Sequence, residues 1–186
     1  MVNTPAPQPG GDEKPFALKS TIYTVGFLLF VLGVLPSLFY VVEEGLLTAD
    51  SWTDLIQSYW IDFRRLVGGA VFALGLAAYL FCSIWLMFYG RGPHVEFDPP
   101  KHFVATGPYR WVRNPVVLTL LVTVLGEAIY YGSLGILALL LFIGLPFAQY
   151  QVTRIEEPLL RQRFGQSYID YCTRVPRWTP RPPSPD

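Results

Sequence analysis

The fold is decided by residues 113–157, RNPVVLTLLVTVLGEAIYYGSLGILALLLFIGLPFAQYQVTRIEE, in which charged residues enclose two apolar segments. The segments are residues 116–131 and 133–151, and the break between them centres on Tyr131 and Gly132. This break is too short for a soluble loop, so the stretch predicts a tight helical hairpin. A helix of 16 residues reaches only about 24 Å, which is slightly less than the hydrocarbon core of a bilayer.

The rest of the chain is also typical of a membrane protein. Of its 186 residues 52% are hydrophobic and only 15% are charged, against roughly 25% charged in soluble domains. Residues 21–42 and 66–89 contain no charge, and each is long enough to cross about 30 Å of hydrocarbon. With the hairpin segments at 115–131 and 133–152, they predict an all-α integral membrane bundle of about four transmembrane helices. The alternative, that the two segments form a deeply buried two-helix core, is disfavoured because their neighbours are membrane spans.

Composition also predicts the organisation outside the spans. Residues 1–19 are rich in Pro, Gly and charge, and are expected to form a disordered leader before a single domain at 20–181; residues 182–186 are expected to be a disordered tail. Residues 51–63 carry apolar side chains at helical spacing, which predicts an amphipathic helix lying in the membrane interface. Pro158 is expected to end the last span and to begin an amphipathic helical tail whose apolar stripe docks on the membrane.

The distribution of Lys and Arg predicts the orientation of the bundle. Two precede the first span, four lie in residues 90–113 and six follow Gln151, whereas only two lie between the first two spans. Four spans place the first three groups on one side. Because positive residues favour the cytosolic side, both termini and the polar stretches are expected to face the cytosol.

Several function classes are excluded by the residue content. Fourteen basic and fourteen acidic residues cancel to a formal net charge of zero, so nucleic acid is not an expected partner. Two Cys and two His offer neither a disulfide framework nor a metal site. The chain has no Gly-x-Gly-x-x-Gly fingerprint, which excludes the soluble nucleotide-binding fold. A small transporter is disfavoured because Glu127 is the only ionisable residue inside the spans.

The residues suited to chemistry flank the hairpin. Arg113 and Asn114 immediately precede its first helix, and Glu156 and Glu157 follow its second. A hairpin returns the chain to its starting depth, so these four residues are predicted to converge. A cation and two carboxylates at the mouth of a bundle suit a small zwitterionic ligand. The structural alternative is that the arginine only anchors a span and the glutamates form a solvated helical turn.

Four short motifs occur in and around these polar stretches. They are residues 107–115 (GPYRWVRNP), 156–159 (EEPL), 163–165 (RFG) and 175–177 (VPR), accompanied by Tyr168 and Tyr171. In this order and at these separations, the motifs resemble the signature of the isoprenylcysteine carboxyl methyltransferase and phospholipid methyltransferase superfamily. The resemblance covers roughly half of the chain, and it is specific for the superfamily rather than for one substrate.

The resemblance implies an integral membrane enzyme that uses S-adenosylmethionine. The cofactor-binding residues it implies are Tyr109, Arg113, Asn114, Pro115, Glu156 and Glu157. From the placement of charges, the catalytic residues are expected to be Arg113, Glu156 and Arg177. These residue types suit the cofactor on chemical grounds, because its methionine carboxylate pairs with arginine and its ammonium group with glutamate. Arg177 is expected to meet an anionic acceptor.

Two functions are compatible with these features. The first is methyl transfer to a lipophilic acceptor, either a prenylated molecule or a membrane lipid. A carboxylate acceptor is favoured because it is ionised at pH 7, whereas an amine with a pKa near 10 must first lose a proton. The second is a non-catalytic module that keeps the fold and binds a lipid or a protein. It is suggested by Val117 and Thr119, which stand where the family usually has an aromatic residue and a glycine.

The predicted topology is tested by cysteine accessibility. Single cysteines introduced at Lys14 and Arg181 should react with a membrane-impermeant maleimide from the same side of the membrane, because four spans separate them. Labelling of the two positions from opposite sides would contradict the four-span arrangement.

Overall fold

The computed structural model of the protein describes residues 25–46, 54–90 and 102–182. These residues form helices, turns and irregular chain, and contain no strand. Three helices are long and apolar enough to cross a membrane, and a fourth apolar helix is shorter. The prediction of an all-α membrane bundle is therefore confirmed. The predicted leader and residues 183–186 of the predicted tail lie outside the described residues.

Five helices make up the described chain. They are α1 (25–46, with a π-helical segment at Phe30–Val34), α2 (Asp54–Gly90), α3 (Pro115–Tyr131), α4 (Leu134–Phe164) and α5 (Gln166–Arg174). A short 3₁₀ turn at Gly107–Arg110 precedes α3. Helices α3 and α4 form the hairpin, and α2 packs along α3.

The prediction of a separate interfacial helix at residues 51–63 is wrong, because no boundary separates it from the second span. Residues 54–63 are helical, but they continue without a break into the second span as part of α2. At about 1.5 Å per residue, the 37 residues of α2 reach about 56 Å, which is well beyond the hydrocarbon core. The physical reason is that residues 54–67 contain neither Gly nor Pro, and the charges at Asp62, Arg64 and Arg65 are tolerated by a helix.

The hairpin forms as predicted, and capping side chains fix its ends. The Asn114 side chain accepts a hydrogen bond from the Val117 N–H at 3.2 Å, so it caps α3. Gly132 ends α3 in the left-handed conformation, with φ of 66°. The Ser133 hydroxyl then caps α4 by accepting from the Ile136 N–H at 3.0 Å. Two residues, Gly132 and Ser133, therefore reverse the chain between two membrane helices.

Small residues bring α2 and α3 into close contact. The closest approaches pair Gly68 with Tyr130, Phe72 with Gly126, and Gly75 with Thr123. A β-carbon at Gly75 would lie 2.8 Å from the Thr123 Oγ1. Such small-residue contacts allow the backbones of membrane helices to approach closely. The two helices therefore run antiparallel and in close contact over residues 68–75 of α2 and 123–130 of α3.

Three prolines lie inside helices, and each follows a π-helical segment. Pro36, Pro146 and Pro158 come two residues after the π segments at Phe30–Val34, Leu140–Gly144 and Val152–Glu156. A proline lacks an N–H and its ring clashes with the carbonyl four residues earlier. A wider π turn relieves this clash because its hydrogen bonds reach one residue further back.

Because of the π turn before it, Pro158 does not end the helix, and the prediction that the last span ends there is wrong. Glu157 has helical dihedral angles, φ −60° and ψ −41°, and α4 continues through Pro158 to Phe164. The chain reverses only at Gly165, where φ is +56°. The two glutamates therefore belong to the last turns of the hairpin's second helix and not to a new element.

The amphipathic tail helix is present as α5, but its apolar side packs on the protein. Tyr168 and Tyr171 are buried, and Phe103 from the segment before α3 contacts both rings at 5.9 and 5.2 Å. Phe164 at the end of α4 also contacts Phe103, at 5.4 Å. The expectation that this stripe docks on the membrane is wrong, because the reversal at Gly165 folds it onto the 102–114 segment.

The close contact between α2 and α3 predicts that a side chain at Gly126 destabilises the protein. In Gly126→Ala the added methyl group would collide with the Phe72 backbone. Overpacking costs about 1–3 kcal/mol, more than the roughly 1 kcal/mol that alanine gains in helix propensity. The thermal midpoint in detergent should fall by about 2 °C or more. Gly33→Ala is the control because a β-carbon there meets nothing within 4 Å. An equal effect of both substitutions would contradict the proposed packing.

Candidate functional site

The hairpin brings the predicted polar residues together at one end of the bundle, where α3 begins and α4 passes residue 152; we call this the site end. The Arg113 Nη1 lies 3.2 Å from the Glu157 Oε1. The Asn114 Nδ2 donates to the Glu156 Oε2 at 2.7 Å. The predicted proximity of these residues, 42 to 44 positions apart in sequence, is confirmed. Their role as ligands of a cofactor stays a prediction.

Glu157 is the centre of a cluster that we define as Arg113, Glu157, Arg161 and Arg177. Its carboxylate is almost fully buried, with 3% of the residue exposed. Arg177 binds it with two hydrogen bonds, Nε to Oε1 at 2.7 Å and Nη2 to Oε2 at 2.9 Å. Arg161 adds a longer contact at 3.7 Å. Three guanidinium groups around one carboxylate leave the Glu157 cluster with a net positive charge.

The geometry of the Glu157 cluster is that of a strong ion pair. Two parallel hydrogen bonds between arginine and carboxylate fix both the distance and the orientation of the groups. These hydrogen bonds from Arg177 to Glu157 raise the pKa of Arg177 above its ordinary value. A buried carboxylate without such partners would be strongly destabilising. The cluster is therefore a rigid, permanently charged part of the site end.

Arg113 also fixes the C-terminal part of the chain. Its Nε donates to the Val175 carbonyl at 2.7 Å, and its Nη2 donates to the Cys172 carbonyl at 2.6 Å. These carbonyls lie at the end of α5, where backbone acceptors lack partners within the helix. The Arg113 N–H further donates to the Pro176 carbonyl at 2.9 Å. One residue thus joins the start of α3 to the end of α5.

The residues beyond α5 cross the site end. We define residues 175–181 as the C-terminal strap. The Arg181 N–H donates to the Trp111 carbonyl at 3.0 Å, and the Trp178 Nε1 donates to the Gln149 Oε1 at 2.6 Å. The strap therefore connects the segment before α3 with the side of α4. The sequence did not predict this element, because its residues carry no helical or strand periodicity.

Tyr109 lies on the inner side of the site end. Its ring is buried, with 7% of the residue exposed, and its backbone carbonyl accepts a hydrogen bond from the Tyr171 hydroxyl at 2.7 Å. Burial raises the pKa of the Tyr109 phenol, and the neighbouring Cys82 and Glu156 add smaller contributions in the same direction. The phenol therefore lies near both α2 and α4.

Helix α2 contributes residues that the sequence analysis missed. Tyr79, Cys82 and Ser83 are all buried on the face of α2 that packs toward α3. These three residues follow one another at i, i+3 and i+4 within an uncharged span. This spacing could have indicated a shared polar face, but it is equally typical of ordinary helix packing. Of these three, Cys82 lies near the Tyr109 phenol, which also has Glu156 as a neighbour.

The predicted site residues therefore fall into two groups. Arg113, Glu157 and Arg177 form the Glu157 cluster, and Asn114 pairs with Glu156 further inside. Pro115 is buried in the first turn of α3, where its missing N–H costs nothing. The arrangement offers positive charge beside the strap, and a carboxylate with hydrogen-bonding groups toward the bundle interior.

The chain matches a known protein family. A family model described as phospholipid methyltransferase matches residues 63–167, more than half of the chain. The matched range includes most of α2, the whole hairpin and both glutamates, whereas Arg177 lies beyond it. No curated protein and no solved structure matches the chain significantly.

The hydrogen bonds between Arg177 and Glu157 predict that the Glu157 carboxylate holds the C-terminal strap in place. Glu157→Gln removes the negative charge that binds Arg113 and Arg177, and each charge-assisted hydrogen bond contributes about 1.5–3 kcal/mol. Trypsin cleavage after Arg177 should therefore become about tenfold faster or more, because cleavage follows the population of the open strap. Asp170→Asn is the matched control, since that exposed carboxylate accepts from Gln166 only within α5. Equal cleavage rates in the two variants would contradict this role of Glu157.

Proposed function

This chain belongs to the phospholipid methyltransferase family, and we propose that it transfers the methyl group of S-adenosylmethionine to a lipophilic acceptor at the site end. The observation that carries the proposal is the pairing of Arg113 with Glu157 and of Asn114 with Glu156 across the mouth of the hairpin. These pairs lie within or next to membrane helices, as a membrane methyltransferase that meets its acceptor in the bilayer requires.

The donor set at the site end fits S-adenosylmethionine. Arg113 and its neighbours in the Glu157 cluster provide positive charge for the methionine carboxylate, and Glu156 provides a carboxylate for the ammonium group. Asn114 holds the Glu156 side chain through its amide, so this carboxylate is fixed in place. When bound, the cofactor supplies an activated methyl group. The chain itself has to align the reactants and exclude water.

The net charge of the Glu157 cluster favours an anionic acceptor. Arg113, Arg161 and Arg177 face a single carboxylate, so an additional anion is attracted to this part of the site end. A carboxylate acceptor is ionised at neutral pH and needs no general base, whereas an amine has to be deprotonated first. We therefore favour a carboxylate on a lipophilic chain, and assign Arg177 to its recognition.

The distribution of arginines supports a cytosolic site. Eight of the described arginines lie at the site end or on the segments around it, namely Arg110, Arg113, Arg154, Arg161, Arg163, Arg174, Arg177 and Arg181. Only Arg64 and Arg65 lie toward the opposite end of α2. Because positive residues are retained on the cytosolic side, we propose that the site end faces the cytosol.

Cofactor binding separates this proposal from a non-catalytic lipid- or protein-binding module. Purified protein in detergent should bind S-adenosylmethionine and its demethylated product in calorimetry. Glu156→Gln keeps the shape of the side chain but removes its charge. The affinity for the cofactor should therefore fall about 10- to 150-fold, the equivalent of one charge-assisted hydrogen bond. Asp170→Asn should bind normally. Normal binding by Glu156→Gln would exclude the proposed role of this carboxylate.

A second experiment tests the assignment of Arg177. Arg177→Ala should bind S-adenosylmethionine with nearly unchanged affinity, but should have a higher KM for a lipophilic carboxylate such as N-acetyl-S-farnesylcysteine. Arg177→Lys keeps the positive charge without the bidentate geometry, so its KM should be intermediate. If Arg177→Ala abolishes cofactor binding as completely as Arg113→Ala does, Arg177 belongs to the cofactor site.

A further inference from the structure

One buried side-chain amide next to the site end has no partner in the described chain. The buried polar and charged residues that the structure describes are Ser83, Asn114, Thr123, Glu127, Ser133, Gln151 and Glu157. Four of them form side-chain hydrogen bonds. Of the other three, Ser83 has Tyr79 beside it, and Glu127 lies about 18 Å along α3 from Pro115. Only 5% of Gln151 is exposed, and its amide forms no hydrogen bond with any residue in the described chain.

The Gln151 amide also borders open space. The described side-chain atoms that are both fully enclosed and unpaired are the Arg64 Nε, the Ser83 Oγ and the Glu127 Oε2. The amide atoms of Gln151 are unpaired but do not belong to this set, so each keeps a small accessible surface within an otherwise buried residue. A buried polar group without a partner is destabilising. An unpaired amide that faces a narrow open space is therefore suited to a ligand that completes its hydrogen bonds.

The second π segment of α4 places Gln151 directly before Glu156 on one face of the helix. In a π turn the N–H of a residue bonds to the carbonyl five residues earlier, as the Glu157 N–H does to the Val152 carbonyl. Residues five apart in such a turn are neighbours on one face, as residues four apart are in an α-helix. Gln151 thus lies one turn, about 5 Å, deeper in the bundle than Glu156. Because Asn114 holds Glu156 at the site end, the Gln151 amide adjoins the candidate cofactor site.

The chemistry of the amide fits the ribose of S-adenosylmethionine. In the proposed function Arg113 and Glu156 hold the charged ends of the methionine moiety, which leaves the ribose hydroxyls without a partner. The ribose follows the methionine chain beyond the sulfonium, so a group one helical turn from Glu156 is placed to meet it. A hydroxyl both donates and accepts, and an amide offers one acceptor and two donor hydrogens. A carboxylate acceptor offers only lone pairs, which suit the arginines of the Glu157 cluster better.

We propose that the Gln151 amide hydrogen-bonds the ribose hydroxyls of S-adenosylmethionine, and that Gln151 is a cofactor-binding residue. This inference rests on the proposed methyl transfer and extends the cofactor site one turn into the bundle. It gives a role to a polar side chain that is buried on an apolar part of α4, where Ala148 and Val152 are buried on either side of it.

Calorimetry on the full-length protein in detergent tests this inference without turnover. The probes are S-adenosylhomocysteine, the demethylated product, and its analogue that lacks both ribose hydroxyls. The wild type should bind the parent compound about fivefold more tightly or better, the gain expected for one or two hydrogen bonds between neutral groups. Gln151→Met keeps the length of the side chain but removes its amide. It should bind the parent about fivefold more weakly than the wild type does, and should no longer distinguish the two probes.

A matched substitution and a stability measurement identify a merely structural role. Gln166→Met removes an exposed amide that bonds only to Asp170 within α5, so it should bind both probes like the wild type. The thermal midpoint of ligand-free Gln151→Met should stay the same or rise, because the substitution removes an unpaired buried amide. If Gln151→Met were to misfold, Gln151→Asn retains a shorter amide, and full wild-type discrimination between the probes in that variant overturns the inference.

The outcomes distinguish this inference from the proposed function. If Gln151→Met still prefers the parent compound as strongly as the wild type does, the inference is overturned. An equal loss of affinity for both probes also overturns it, because the amide then acts elsewhere than on the ribose hydroxyls. Wild-type protein that binds both probes equally overturns the inference while leaving methyl transfer intact. Wild-type protein that binds neither S-adenosylmethionine nor S-adenosylhomocysteine overturns the proposed function itself.

Discussion

The buried carboxylate of Glu157 is the constraint on which the site end depends. A charge this deeply buried is tolerated only when cations surround it, and here Arg113 comes from the start of α3 and Arg177 from the strap. Because both arginines must reach the same carboxylate, the ends of α3, α4 and α5 are held together. Arg113 extends this connection to the carbonyls of Cys172 and Val175. A single ionic centre thus organises segments that are far apart in sequence.

The position of that centre depends on an unusual feature of α4. The helix contains two prolines, yet it runs from Leu134 to Phe164 because a π segment precedes each of them. The second π segment, Val152–Glu156, ends immediately before Glu157. Glu156 and Glu157 are therefore carried on a rigid helix and not on a loop. Functional groups placed on regular elements are held more accurately than groups on mobile segments.

Much of this arrangement could be predicted from apolar patterning. Long uncharged runs predicted the membrane helices, and the short break at Tyr131 and Gly132 predicted the hairpin and the proximity of Arg113 to the glutamates. The sequence did not predict that residues 54–63 join α2, since amphipathic spacing is the same in an interfacial helix and in an extended span. It also missed the helical path through Pro158, because the expected break assumes an ordinary α-helix before the proline, whereas a π turn stands there. The strap depends on contacts between segments that are distant in sequence, and such contacts leave no local pattern.

The helical conformation of the Glu156–Glu157 pair explains how two identical neighbours serve different parts of the site. Successive residues in a helix project about 100° apart, so two adjacent carboxylates cannot face the same partner. Glu157 turns toward the arginines of the cluster, and Glu156 turns toward Asn114 and the interior near Tyr109. If Pro158 had ended the helix, the glutamate before it would have adopted an extended conformation and this division would be lost. The π turn before the proline therefore has a consequence for chemistry as well as for folding: it separates a structural carboxylate, neutralised by arginine, from one held by a neutral amide beside the bundle interior.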